Sequence, residues 1–208
     1  MSYRQVLVTS LLLLLFAVAG TALVALTYDQ TRGRIAANER AALLHNLQLL
    51  VPRSAYDNDP LQDTVQVRDP AMLGTGDPVT VYRLRKGGKP VAAVLTPVAP
   101  DGYGGPIRLL VGIYYDGTIA GVRVLSEHET PGLGDAIKAD RSNWIFGFNG
   151  KSIGNPPLDK WKVKKDGGVF DQFTGATITP RAVVKAIRKT LIYFSRHRAS
   201  LFKGGGAG

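Results

Sequence analysis

The stretch DQFTGATITPRAVVKAI, Asp171 to Ile187, sets three hydroxyls, Thr174, Thr177 and Thr179, directly ahead of an amphipathic helical pattern. A single threonine suffices to cap a helix, and Thr179 followed by Pro180 suits the cap and first helical positions. Thr174, Gly175, Ala176 and Thr177 then need another reason. A helix N-terminus presents unpaired N–H groups and the positive end of its dipole, so it can hold a phosphate. Gly175 and Ala176 keep that approach open, and Thr177 brings a hydroxyl to it. Taken alone, T-G-A-T reads more readily as a turn followed by a cap.

A second stretch with chemical potential is SEHETPGLGDAI, Ser126 to Ile137. Glu127, His128 and Glu129 have the types for acid–base work or metal ligation. Three successive residues on an extended chain point different ways, however, and the chain has just 3 histidines, with no second ligand cluster. Pro131, Gly132 and Gly134 fit a strand-to-helix loop, and glycines there also let a flat ligand approach backbone amides. There is no cysteine, which excludes disulfides, Cys-ligated zinc, iron–sulfur clusters and thiol catalysis. Redox chemistry would need a different cofactor.

The elements that must position these loops are legible in outline. The chain has 208 residues, 45% hydrophobic and 20% charged, enough for one packed domain and something more. Val6 to Leu26 is uncharged over 21 residues, the length of a membrane span. It exceeds the apolar region of a signal peptide and runs on into TYDQTRGRIAANER, which favours an uncleaved anchor. Arg4 precedes the span and Arg32, Arg34 and Arg40 follow it, so charge does not fix its orientation. Asn38 to Leu50 has helical spacing with Asn38 as its expected cap, a stalk or first domain helix, and PRSAYDNDPLQD reads as a loop. Strands are expected from Val79, Val91, Ile107 and Thr118, with turns at Gly87–Gly88 and Asp116–Gly117, an antiparallel meander. Helix is expected at about Gly134 to Phe146 and from Pro180 to about Leu201, where Val183, Val184, Ile187, Leu191 and Phe194 form one apolar face. KWKVKK, Lys160 to Lys165, reads as a strand with one wet face, a solvated edge rather than a docking patch.

The fold class is therefore α+β: a single transmembrane helix, then an antiparallel-sheet domain with flanking helices. Residues 1–27 form the anchor with a short flank, 28–75 a stalk helix and linker, 76–203 the globular domain and 204–208 (GGGAG) a flexible tail or appended remnant. The net charge of +10 is concentrated in the last segment, at Arg181, Lys185, Arg188, Lys189, Arg196, Arg198 and Lys203. An anionic membrane or an acidic partner fits such a segment as well as nucleic acid does.

Together HETPGLG and D-x-x-T-G-A-T, behind an N-terminal anchor, resemble the G-type component of the Rnf (Rsx) ion-translocating electron transport complex. The C-type component of the sodium-pumping NADH:quinone oxidoreductase is similar at greater distance. The resemblance implies an FMN-binding domain whose FMN is joined by a phosphoester to the last threonine of the motif. Asp171, Thr174, Gly175, Ala176 and Thr177 match that motif, which makes Thr177 the attachment residue. It implies a flavin transferase acting outside the cytoplasm, and hence an inner-membrane protein with a cytoplasmic N-terminus and a periplasmic FMN domain, where no nucleic acid is met. It implies an electron-carrying role beside other Rnf-type subunits and the lipid bilayer, with no nicotinamide site in this chain. Glu129, Thr130, Gly132, Leu133 and Gly134 are the expected ring-side loop. Two other readings stand beside it: a stand-alone membrane-anchored flavin sensor or regulatory domain, and a colourless hydrolase using Glu127, His128 and Glu129.

Overall fold

The computed structural model describes residues 3–203; the expected flexible tail, 204–208, lies outside the described residues. The chain divides into two compact units between His45 and Asn46.

Helix α1 (Tyr3–Leu50) is continuous over 48 residues. Its apolar stretch buries nothing within the protein and is long and apolar enough to cross a membrane. Asn38, expected as a cap, is a mid-helix residue. With no glycine or proline between Arg34 and Leu50 to interrupt it, the helical spacing beyond Asn38 simply continues the preceding turns. The helix stops at Leu50, just before Pro52, whose ring cannot continue an α-helix.

The second unit is built on a six-stranded antiparallel sheet: β1 (Thr64–Val67), β2 (Val79–Lys86), β3 (Lys89–Leu95), β4 (Val98–Ala99), β5 (Ile107–Tyr114) and β6 (Ile119–Ser126). The pairing runs β1–β2–β3–β5, with β3 and then β4 along one edge of β5 and β6 along the other. The turn between β2 and β3 is the expected Gly87–Gly88, with φ of 55° and 75°. Two successive positive φ values are the requirement of a two-residue hairpin turn that matches strand twist.

Both faces of the sheet are covered. Ala93, Leu95, Val111 and Ile113 pack with Val183, Ile187, Leu191 and Phe194 of helix α3 (Ile178–Leu201) in the main core. Their strand neighbours Ala92, Val94 and Leu110 point to the opposite face and are also buried. On that face Leu50 lies over Gly112 and Gly121, which are paired across β5 and β6; a Cβ on Gly121 would stand 2.9 Å from Leu50 Cδ2.

Residues 46–75, expected as stalk and linker, are part of this compact unit. β1 pairs with β2, and the short helix α2 (Pro70–Leu73) is capped by Asp69, whose carboxylate accepts from the Met72 N–H at 3.0 Å. Asp63 holds Arg83 at 2.5 Å and Arg85 at 2.7 Å, and Arg85 also donates to the Phe202 carbonyl at 3.1 Å. The helix expected at Gly134 to Phe146 is instead two 3-10 turns, Gly134–Ile137 and Trp144–Phe148. KWKVKK forms no strand: 3-10 turns at Leu158–Lys160 and Lys164–Asp166 flank Trp161 and Val163, both buried. Trp161 enters an aromatic cluster with Phe148 and Phe170, ring centroids 6.3 and 5.0 Å away. The alternation therefore reports burial, and its backbone pairing goes no further than one isolated bridge, Val163 to Phe170.

Candidate functional site

Helix α3 begins ahead of the point its threonines suggested. Ile178 is its first residue and Thr177 the flanking one, whose side chain makes no capping hydrogen bond. Thr179, expected as the cap, is buried inside the first turn and donates from its hydroxyl to Glu129 Oε2. A hydrogen bond to a buried carboxylate is charge-assisted and outweighs a neutral cap, so Thr179 turns inward.

Just ahead of the helix the chain makes a tight turn in which the Ala176 N–H donates to the Phe173 carbonyl at 3.2 Å. Gly175 takes φ 79°, the left-handed conformation that such a turn asks of its third residue. That turn leaves Thr174 exposed and draws Ala176 and Thr177 back against the protein.

Glu129 ties three segments together. It is buried, and beyond the Thr179 hydroxyl it accepts from the Gly104 N–H at 3.1 Å. The backbone crowds it from two sides. A Cβ on Gly134 would lie 2.7 Å from Glu129 Oε2 and 2.8 Å from Thr179 Oγ1, and one on Gly104 would lie 1.8 Å from the His128 carbonyl oxygen. Glycine at both positions is what allows the DGYGGP loop, residues 101–106, and the loop after β6 to close on each other.

Around this knot lies a cleft of about 330 Å³. Glu129, Thr130, Leu133 and Gly134 line it from one motif, and Gly175, Ala176 and Thr177 from the other. Tyr103, Ile178 and Thr179 complete the wall. The two loops singled out in the sequence, some 40 residues apart, thus share one site. Three expected residues are outside its lining. Gly132 turns the loop with φ 78° while its N–H donates to Asp135 Oδ1 at 2.7 Å. Thr174 is exposed. Asp171 is exposed too, paired with Lys164 at 2.5 Å, and its carbonyl accepts from Trp144 Nε1 at 2.8 Å. Tyr103 escaped sequence reasoning, although the glycines around it in DGYGGP signal a close backbone approach.

Glu127, His128 and Glu129 do not converge. Glu129 points in, His128 is exposed, and Glu127 pairs with Lys138 at 2.8 Å and accepts from the Glu129 N–H at 2.5 Å. Burial pushes the Glu127 carboxyl up, but Lys138 and that N–H outweigh it and hold the group below the usual carboxylate range.

The FMN-binding domain family matches residues 102–192, a range containing Tyr103 and both loops, and the RnfG N-terminal region matches residues 1–50. The G component of the ion-translocating oxidoreductase complex from Pseudomonas aeruginosa is 49% identical over 198 residues, 95% of this chain and 92% of its own. Its namesakes from Pseudoalteromonas atlantica (47%; 92% and 89% covered) and Vibrio cholerae (48%; 92% and 91%) are similarly close. The chain belongs to the RnfG family.

For an RnfG-family chain with an FMN-binding domain, the cleft has the right chemistry. Its volume falls within the ~300–1,000 Å³ of small-molecule sites. Its helix end offers N–H donors to a phosphate, beside an uncapped Thr177 hydroxyl. Exposed Leu133, Ile178 and Tyr103 give it an apolar, partly aromatic rim against which a flat ring can lie.

Proposed function

We propose that this chain carries electrons within a membrane-bound ion-translocating oxidoreductase complex, on an FMN joined by a phosphoester to Thr177. The observation that carries the reading is the placement of Thr177 at the start of α3, in a cleft shared by both motif loops and without a capping hydrogen bond. An attached phosphoryl group there would be met by the first N–H groups of the helix. The chemistry supplied by bound FMN is one- or two-electron redox; this chain supplies position and surroundings. Gly175 shapes the turn that presents Thr177. Glu129, held by Thr179 and Gly104, fixes the opposite wall, where Thr130, Leu133 and Gly134 stand on the ring side. Gly132 shapes that loop, and Asp171, Thr174 and Ala176 complete the sequence recognised by a flavin transferase.

The transferase acts outside the cytoplasm, so the N-terminus is cytoplasmic, α1 crosses the inner membrane and the second unit is periplasmic, beside the other subunits of the complex. A reporter fused after Phe202 that is active only in the periplasm should be active, and a cytoplasm-only reporter silent; the reverse pattern would exclude this topology. For the attachment, Thr177→Ala should fold, insert and carry no covalent flavin. Flavin fluorescence on denaturing gels reads this directly, and a persisting fluorescent band, or FMN mapped by peptide mass to Thr174 or Thr179, would overturn the assignment.

A further inference from the structure

The opposite flank of α3 holds a larger cleft, of about 460 Å³, that shares no lining residue with the first. Five cations border it: Lys162, Arg181, Lys185, Arg188 and Lys189, against one lining acid, Asp166. Two of the five already have partners. Arg181 forks onto Asp166 through Nε and Nη2, at 2.6 and 2.5 Å, and Lys185 reaches Asp101 at 2.5 Å. Among the described residues Lys162 and Lys189 make no ion pair, and Arg188 makes no hydrogen bond although its Nε is sealed from water.

We propose that this cleft is a second binding site, taking a phosphate ester. One guanidinium and two ammonium groups that make no ion pair among the described residues leave net positive charge in the cleft for an anion. The Arg188 guanidinium matches a phosphate's paired oxygens, and lysines serve phosphates as point charges. The volume far exceeds a bare ion, and Trp161, Val163 and Val184 give the cleft an apolar wall for the ester's organic part. The ester is either a soluble one or the headgroup of an anionic phospholipid. Arg181 and Lys185 are neutralised by Asp166 and Asp101, so the long-range field that draws either one in comes from Lys162, Arg188 and Lys189.

The test is calorimetric titration of the full chain in nonionic detergent at low salt, with glycerol 3-phosphate in one arm and dihexanoyl phosphatidylglycerol in the other. Saturable binding is expected in at least one arm. A response to glycerol 3-phosphate assigns a soluble ester, and a response to the short-chain lipid alone assigns a headgroup. Lys162→Gln, at an exposed position that folding does not depend on, should weaken binding about tenfold, and Arg188→Gln at least as much. Arg196→Gln, which removes a charge from α3 outside the cleft, should leave it unchanged. Absence of binding in both arms overturns the proposal, as does binding indifferent to Lys162→Gln or equally weakened by Arg196→Gln.

Discussion

Thr177 and Thr179 sit two residues apart on one turn, yet their hydroxyls face opposite demands. Thr177 makes no capping hydrogen bond, while Thr179 satisfies a buried carboxylate. Thr179→Val keeps the shape and removes the donor, leaving Glu129 with the Gly104 N–H as its remaining protein donor. It should cost about 1–3 kcal/mol, the penalty of an unmet buried acceptor, read by chemical denaturation. Thr179→Ser should recover most of that, which a packing defect would not. Gly134→Ala pushes a methyl into the same pair and should cost about 1–3 kcal/mol by overpacking. Glu127 makes a pH prediction. Its carboxyl is held below the usual range, so it contributes stability above the unfolded value of about 4.3 that is lost as pH falls through the lower folded value. Glu127→Gln should therefore narrow its melting-temperature gap to the parent as pH drops from 6 towards 3, and a constant gap would argue against the assignment.

At the scale of elements, the parts that read clearly were those whose causes are local. The Gly87–Gly88 turn, the four long strands and the apolar stripe of α3 each carry their signal within a few neighbouring residues. β1 did not, because its alternation, TVQV, lasts only four residues, too short a run to mark a strand, and its place comes from β2 and from Asp63 gripping two arginines. Nor did the site's interior: Glu129 meets Thr179 across 50 positions, and Gly104 meets the same loop from yet another segment. Local rules placed both motif loops and missed what fastens them. Asp63→Ala should cost about 3–5 kcal/mol, since it strands buried Arg83 without its carboxylate. A change at Gly121 is less severe: Gly121→Val lifts Leu50 off the Gly112–Gly121 patch. Increased amide exchange confined to the last turn of α1 and to β5–β6 is the expected signature.

For the molecule as a whole, composition and the N-terminal run indicated an anchor followed by a domain, and what the sequence misplaced was where that domain starts. The expected boundary at residue 76 cuts through a folded unit. Residues 46–75 supply Leu47 and Leu50 against the sheet, Tyr56 in the core, β1 along β2, Asp63 for Arg83 and Arg85, and α2 against α3. A chain starting at Asn46 keeps all of these and loses none of the second unit's contacts with itself. It should be soluble without detergent and unfold in one cooperative transition, retaining the cleft because both motif loops and Tyr103 lie well inside it. A chain starting at residue 76 loses β1 and uncovers Val94, Leu110 and the edge of β2, an unpaired strand with apolar neighbours prone to association. It also leaves the Arg83 guanidinium buried without Asp63. Size-exclusion chromatography and urea unfolding of the two chains decide the matter: the first should be compact with a steep transition, the second aggregated or broadly unfolding. Equal behaviour of both would mean that residues 46–75 only decorate a domain already complete without them.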